Sequence, residues 1–117
     1  MDIIESRVGR TCVLAISGPL NMESAPALSE QAIALCATGI RAILIDLAQV
    51  PHLTSSGLRS LLTINKRAEQ AGVGTALCGM TELIYDLFDV SGMLGVFRIY
   101  ADRASALAAI DQPGNPG

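Results

Sequence analysis

The run Ala42-Ile43-Leu44-Ile45-Asp46-Leu47 is apolar at successive positions rather than alternate ones. A strand with two apolar faces belongs inside a sheet covered on both sides, so this segment predicts a central buried strand. Thr11 to Ser17 predicts a second strand, and Ile3 to Arg7 predicts its hairpin partner through a turn at Val8-Gly9-Arg10. Thr75 to Cys78 and Val96 to Tyr100 predict two more short strands.

Between the strands the apolar period becomes that of a helix. Leu28, Ala32, Leu35 and Cys36 follow Pro26 at helical spacing, with Ser24 placed as N-cap and Gly39 as the closing C′ residue. Leu58, Leu61, Leu62 and Ala68 mark a second helix ending near Gly72, with Arg59, Asn65, Lys66 and Glu69 on its outer face. Thr81 predicts the cap of a third helix that turns Leu83, Ile84, Leu87 and Phe88 inward and stops near Ser91-Gly92. Asp102 predicts the cap of a fourth, running through Ile110.

The order β-β-α-β-α-β-α-β-α implies an α/β single domain. Its sheet is mostly parallel and mixed, of about five strands with an antiparallel N-terminal edge, covered by about four helices. The domain is expected over residues 1–110. Asp111 to Gly117, with two Pro and two Gly, is expected to be a flexible tail.

Composition narrows the function classes. The chain has 117 residues, 50% hydrophobic but 3% aromatic, so its core must be aliphatic. A net charge of −3, with no Lys or Arg run, excludes a nucleic-acid footprint. No stretch approaches the roughly 20 apolar residues of a membrane span, and the N-terminus lacks the pattern of a signal peptide. The expectation is a cytoplasmic protein with no membrane insertion. Cys12, Cys36 and Cys78 are odd in number, far apart and set in apolar surroundings, which predicts buried free thiols. With no Cys-x-x-Cys pair and His52 as the single histidine, a zinc or iron site is not expected.

The candidate chemistry lies in Leu44 to Leu62, where a buried strand ends, a short turn follows and a helix opens on Thr54-Ser55-Ser56-Gly57. Hydroxyls at a helix start suit capping, phosphate binding or phosphorylation. Capping needs one hydroxyl, and Ser56 is expected to supply it. Gly57 is expected to leave room for a partner's backbone or a phosphoryl donor. A phosphate here would meet the positive end of the helix dipole, so it should leave the helix intact and act on whatever docks there.

A nucleophilic serine enzyme would need a base. His52 is close in sequence, but no Gly-x-Ser-x-Gly elbow is present, and His52 is expected to line a docking face. Asp46 ends its strand where open α/β folds bind ligands. The following loop supplies no second carboxylate for a metal, so Asp46 is expected to satisfy backbone donors. Gly72, Gly74 and Gly79 lack dinucleotide-binding spacing and a P-loop lysine, and no cofactor is expected. Met22, Leu53, Met80 and Met93 fall in predicted loops, either as an adaptable contact patch or as partly buried fillers.

The run Leu44 to Leu62 resembles the signature of STAS domains, the fold of bacterial anti-sigma factor antagonists: an apolar strand, Asp-Leu, a short loop, Asp-Ser-Ser-Gly-Leu, then an aliphatic helix. Gly18-Pro19-Leu20-Asn21 is similar to the family's Gly-x-Leu-Asp turn, and the element order agrees over residues 3 to 110. The resemblance implies a non-enzymatic protein that works by partner switching. The antagonist binds an anti-sigma factor serine kinase with an ATP-binding fold and so releases a sigma factor. The kinase ends the interaction by phosphorylating a serine, and a PP2C-type phosphatase resets it.

By position the implied phosphoacceptor is Ser55, with Ser56 and Thr54 as rivals. The implied docking face is Asn21, Leu53, Thr54, Ser55, Ser56, Gly57, Leu58 and Arg59, with Leu53 and Leu58 as its apolar contacts. The family's acid before the phosphoserine is Thr54 here, and the acid of the Gly-x-Leu-Asp turn is Asn21. Both changes remove negative charge, which weakens attraction to a basic partner. Other domains of the family sit in ABC transporter assemblies for lipids, docked on the ATPase, and Thr-Ser-Ser without its acid fits such a subunit as well.

Overall fold

The computed structural model describes residues 1–110, and the tail expected at 111–117 lies outside the described residues. The chain runs β1 (Asp2–Val8), β2 (Thr11–Ser17), α1 (Ala25–Leu35), β3 (Ala42–Gln49), α2 (Ser55–Gln70), β4 (Gly74–Cys78), α3 (Glu82–Val90), β5 (Arg98–Tyr100) and α4 (Arg103–Ile110). The five strands form one sheet in the order β1-β2-β3-β4-β5. β1 is antiparallel to β2, and every later pairing is parallel. This is the mixed α/β architecture that the pattern predicts.

Side chains alternate across a strand, and the two faces of this sheet carry different loads. Cys12, Leu14 and Ile16 of β2, Ile43, Ile45 and Leu47 of β3 and Leu77 of β4 point to one face. There they meet Leu28 and Leu35 of α1, Leu61 and Ile64 of α2, and Ile84 and Phe88 of α3. The opposite face holds a smaller cluster of Val13, Leu44, Ala76 and Cys78 under Ala106 of α4. β3 is buried on both faces because a helix covers each side of it. Among the described residues, no helix is long and apolar enough to cross a membrane.

In α3 only Ile84 and Phe88 are buried; Leu83 is 65% and Leu87 37% exposed. This short helix presents one residue per turn to the core, and its inner stripe is closed by the Phe88–Phe97 ring contact, with centroids 5.9 Å apart. β5 begins at Arg98 rather than Val96, because the Val96 N–H is drawn into a turn by the Met93 carbonyl at 3.1 Å. Gly39 does not cap α1. The helix stops at Leu35, tight i→i+3 bonds from Cys36, Ala37 and Thr38 follow, and the Thr38 hydroxyl donates to the Leu35 carbonyl at 2.6 Å.

Ser24 occupies the N-cap position of α1 but its side chain caps nothing; its hydroxyl donates to the Pro19 carbonyl at 2.9 Å. Cys12 and Cys78 are buried as expected, whereas Cys36 is only half-buried. The three thiols are unpaired.

Candidate functional site

The site is built where the β2–α1 and β3–α2 loops run side by side at the C-terminal edge of the sheet. Gly18, with φ at 104°, turns the chain out of β2 and donates its N–H to the Gln49 carbonyl at 3.0 Å. Leu20 and Leu53 then form a parallel bridge. Leu20 N–H donates to the His52 carbonyl at 3.2 Å, and Thr54 N–H donates to the Leu20 carbonyl at 3.0 Å. His52 is exposed and enters this arrangement through its main chain.

Asn21 organises the first loop. Its Oδ1 accepts from the N–H groups of Glu23 at 3.0 Å and Ser24 at 3.1 Å, and its carbonyl accepts from Ala25 N–H at 2.8 Å. The side chain that resembles the family's acid therefore holds the turn before α1 without carrying charge.

Thr54 organises the second loop. Its backbone is extended, with φ at −93° and ψ at 175°, and its hydroxyl accepts from Gly57 N–H at 3.3 Å while its carbonyl accepts from Leu58 N–H at 2.9 Å. Thr54 is thus the N-cap of α2, not Ser56. Ser55 and Ser56 are the first two helical residues. A helix leaves its first N–H groups without intrahelical partners, and those of Ser55 and Ser56 find no acceptor among the described residues. Ser55 is exposed and Ser56 half-buried.

Gly57 faces inward. A Cβ there would sit 2.5 Å from the Leu20 carbonyl oxygen and 3.0 Å from its Cγ. The space expected for a partner is filled by the neighbouring loop. Leu53 is 8% exposed and belongs to the core, and Leu58 is half-buried against it. The two leucines expected as apolar contacts therefore support the site from below, while Thr54, Ser55 and Arg59 form its surface.

Of the loop methionines, Met80 and Met93 are packed against the core and Met22 is exposed, so the four apolar loop residues form no common patch. Met22, Pro26 and Ser29 line one side of a groove of about 260 Å³, and Ser56, Arg59 and Thr63 of α2 line the other.

Asp46 lies on the opposite face of the sheet. Its Oδ1 accepts from Ala48 N–H at 3.0 Å, the expected backbone role. Its Oδ2 pairs with Arg103 of α4 at 2.9 Å, a contact the sequence does not signal. Burial, reinforced by the Asp46 carboxylate beside it, pushes the Cys78 thiol up to about 12. Burial also raises Cys12, with Glu5 adding to the effect, and raises Cys36. The expected cap on α4 is present: Asp102 accepts from Ser105 N–H at 2.8 Å, which lowers its carboxyl from the ordinary range. Among the described residues no cluster of three or more His, Cys, Asp or Glu could hold a metal ion.

The arrangement offers, beside the capping Thr54, one exposed hydroxyl with no hydrogen bond among the described residues, that of Ser55, next to free N–H donors and a guanidinium one turn away. Comparisons with known proteins bear on this geometry. BtrV of Bordetella bronchiseptica, which carries the provisional name of an anti-sigma factor antagonist, is 26% identical over 109 residues, covering 93% of this chain and 94% of that protein. An anti-sigma factor antagonist from Mycobacterium paratuberculosis superposes with a TM-score of 0.85 at 23% identity, covering 95% and 94% of the two chains. The Bacillus cell-fate determinant SpoIIAA in its phosphorylated form superposes with a TM-score of 0.74 at 18% identity, over 93% and 99%. The family model for the STAS domain matches residues 3–106, and the chain belongs to that family.

Proposed function

We propose that this protein is an anti-sigma factor antagonist that works by partner switching, with Ser55 as its phosphoacceptor. The observation that carries the reading is the division of labour among the three hydroxyls. Thr54 is committed to capping α2, Ser56 is half-buried, and Ser55 is exposed with its hydroxyl in no hydrogen bond among the described residues. The likeness to BtrV and to the phosphorylated SpoIIAA supports the same role.

In this reading an anti-sigma factor serine kinase with an ATP-binding fold docks on Asn21, Thr54, Ser55, Ser56 and Arg59, which Leu53, Gly57 and Leu58 hold in place. The Ser55 hydroxyl oxygen attacks the γ-phosphorus of ATP, ADP departs, and the hydroxyl proton passes to a base of the kinase. The phosphate adds up to about two negative charges and bulk to the docking face. It lies at the positive end of the α2 dipole, so binding is lost while the fold persists. A PP2C-type phosphatase restores serine by hydrolysis, releasing inorganic phosphate. The protein is itself no enzyme, acts in the cytoplasm and needs neither nucleic acid nor membrane insertion.

A second reading, a STAS subunit docked on the ATPase of an ABC transporter, is favoured by one observation. Thr54 and Asn21 both spend their oxygens on main-chain donors, and the first turn of α2 holds no acid. Incubation with the partner kinase and ATP, read by intact mass and peptide mapping, separates the two. One phosphate on Ser55, abolished by Ser55→Ala, is the expected result. Tight binding with no phosphate on Thr54, Ser55 or Ser56 would leave the subunit reading.

A further inference from the structure

We propose that Arg59 is a built-in counter-ion for the modified site: once Ser55 is phosphorylated, the Arg59 guanidinium holds the phosphate on this chain. The inference rests on the reading of Ser55 as phosphoacceptor and concerns what becomes of the phosphate afterwards.

Ser55 and Arg59 stand four residues apart on α2, and both are exposed. Residues at that spacing are surface neighbours, and an acidic group N-terminal to a basic one is the favoured order. Long helical side chains lean back over the preceding turn, which carries Arg59 toward Ser55. Its guanidinium is uncommitted: among the described residues it has no ion pair or hydrogen bond. No acidic residue occurs between Asp46 and Glu69 to compete for it. Across the groove it meets Met22, Pro26 and Ser29, none of them charged. The other ionisable side chains of the two site loops are Glu23 and His52.

A phosphate on Ser55 therefore enters a helix start whose own groups are N–H donors and a guanidinium, with Glu23 of the neighbouring loop as the acid of the two site loops. The unpaired N–H groups of Ser55 and Ser56 lie at its base, and a guanidinium that can bind two phosphate oxygens lies one turn on. With Thr54 in place of an acid, nothing at the helix start repels it. The modified protein would then present a paired, partly neutralised phosphate. Its effect on a partner would come chiefly from bulk and from the loss of a free Arg59.

The test uses the full chain with phosphoserine encoded at position 55, so that it does not depend on the kinase. Phosphorus NMR follows the second phosphate ionisation, ordinarily near pH 6. The wild-type value should lie below that. Arg59→Met should raise it by roughly half a pH unit, Arg59→Lys should give an intermediate value, and about 0.5 M salt should shrink the differences. Equal values in wild type and Arg59→Met would overturn the proposal. Thermal melting of the unmodified variants checks that removing this exposed side chain leaves the fold intact. Failure of the phosphoacceptor reading shows elsewhere, as a Ser55 that the kinase leaves unmodified.

Discussion

Gly57 and Leu20 are in backbone contact: the helix start of α2 lies so close to the β2–α1 loop that a Cβ at residue 57 would meet the Leu20 carbonyl at 2.5 Å. That same carbonyl accepts the Thr54 N–H, so one peptide of the first loop fixes both the residue that caps α2 and the depth at which the helix begins. The hydroxyl run is thereby pinned from inside the molecule. Gly57→Ala adds a methyl group where main-chain oxygen already stands. Overpacking of this kind costs about 1–3 kcal/mol, offset by up to about 1 kcal/mol of alanine's better helix propensity. We expect a net loss of about 1–2 kcal/mol, read as a lower urea midpoint. A variant as stable as wild type would mean that the two loops part easily.

The cap gives a second prediction. Thr54→Ala removes the acceptor for Gly57 N–H and should cost about 1 kcal/mol. Thr54→Asp keeps an acceptor and places negative charge at the positive end of the helix, so its stability should equal or exceed wild type by up to about 1 kcal/mol. Urea unfolding of the pair distinguishes a capping hydroxyl from a merely exposed one. Equal loss in both variants would exclude capping as the role of Thr54.

The contrast between these positions explains what was legible in the sequence. The central strand, the hairpin and the α2 helix are written in local periodicity, legible to within a residue or two of their bounds. Which of three adjacent hydroxyls caps α2 is not local. All three are good N-cap residues, and the choice falls to Thr54 because Leu20 holds its N–H in extended geometry. The burial of Leu53 depends on the same distant partner. Asp46 and Arg103 meet across 57 residues of chain, a pairing that no spacing rule anticipates. The placement of the hydroxyl run at the start of α2 is thus legible in the sequence, while the choice of the capping hydroxyl comes from the contact between two loops.

Helix α3 shows the opposite error, a pattern too generous to the core. Leu83 and Leu87 fit a helical stripe, yet Ile84 and Phe88 alone are buried. Phe88→Ala should cost about 3–5 kcal/mol and Ile84→Ala about 2–4 kcal/mol, because each leaves a cavity. Leu83→Asn should stay within about 0.5 kcal/mol of wild type. Chemical denaturation of the three variants checks the ranking. A loss for Leu83→Asn comparable to that of Ile84→Ala would place Leu83 in the core after all.

Cys78 sets how the fold responds to alkali. In the folded protein its thiol ionises only near pH 12, because burial and the Asp46 carboxylate oppose the thiolate, against an ordinary value of 9.0 once the chain unfolds. Between those values the unfolded chain has lost a proton that the folded chain keeps. Stability therefore falls as pH rises through this window, by at most about 1.4 kcal/mol per pH unit from this group. Below pH 9 the contribution is fully present. Cys12 and Cys36, also raised, act in the same direction. Melting temperature should be nearly flat from about pH 7 to 8 and should drop from about pH 9 upward, and Cys78→Ala should flatten part of that drop. Thiol labelling gives an independent readout: half-buried Cys36 should react first in the native protein, and Cys78 only as fast as the chain opens. Rapid native labelling of Cys78 near neutral pH would contradict its burial beneath α4.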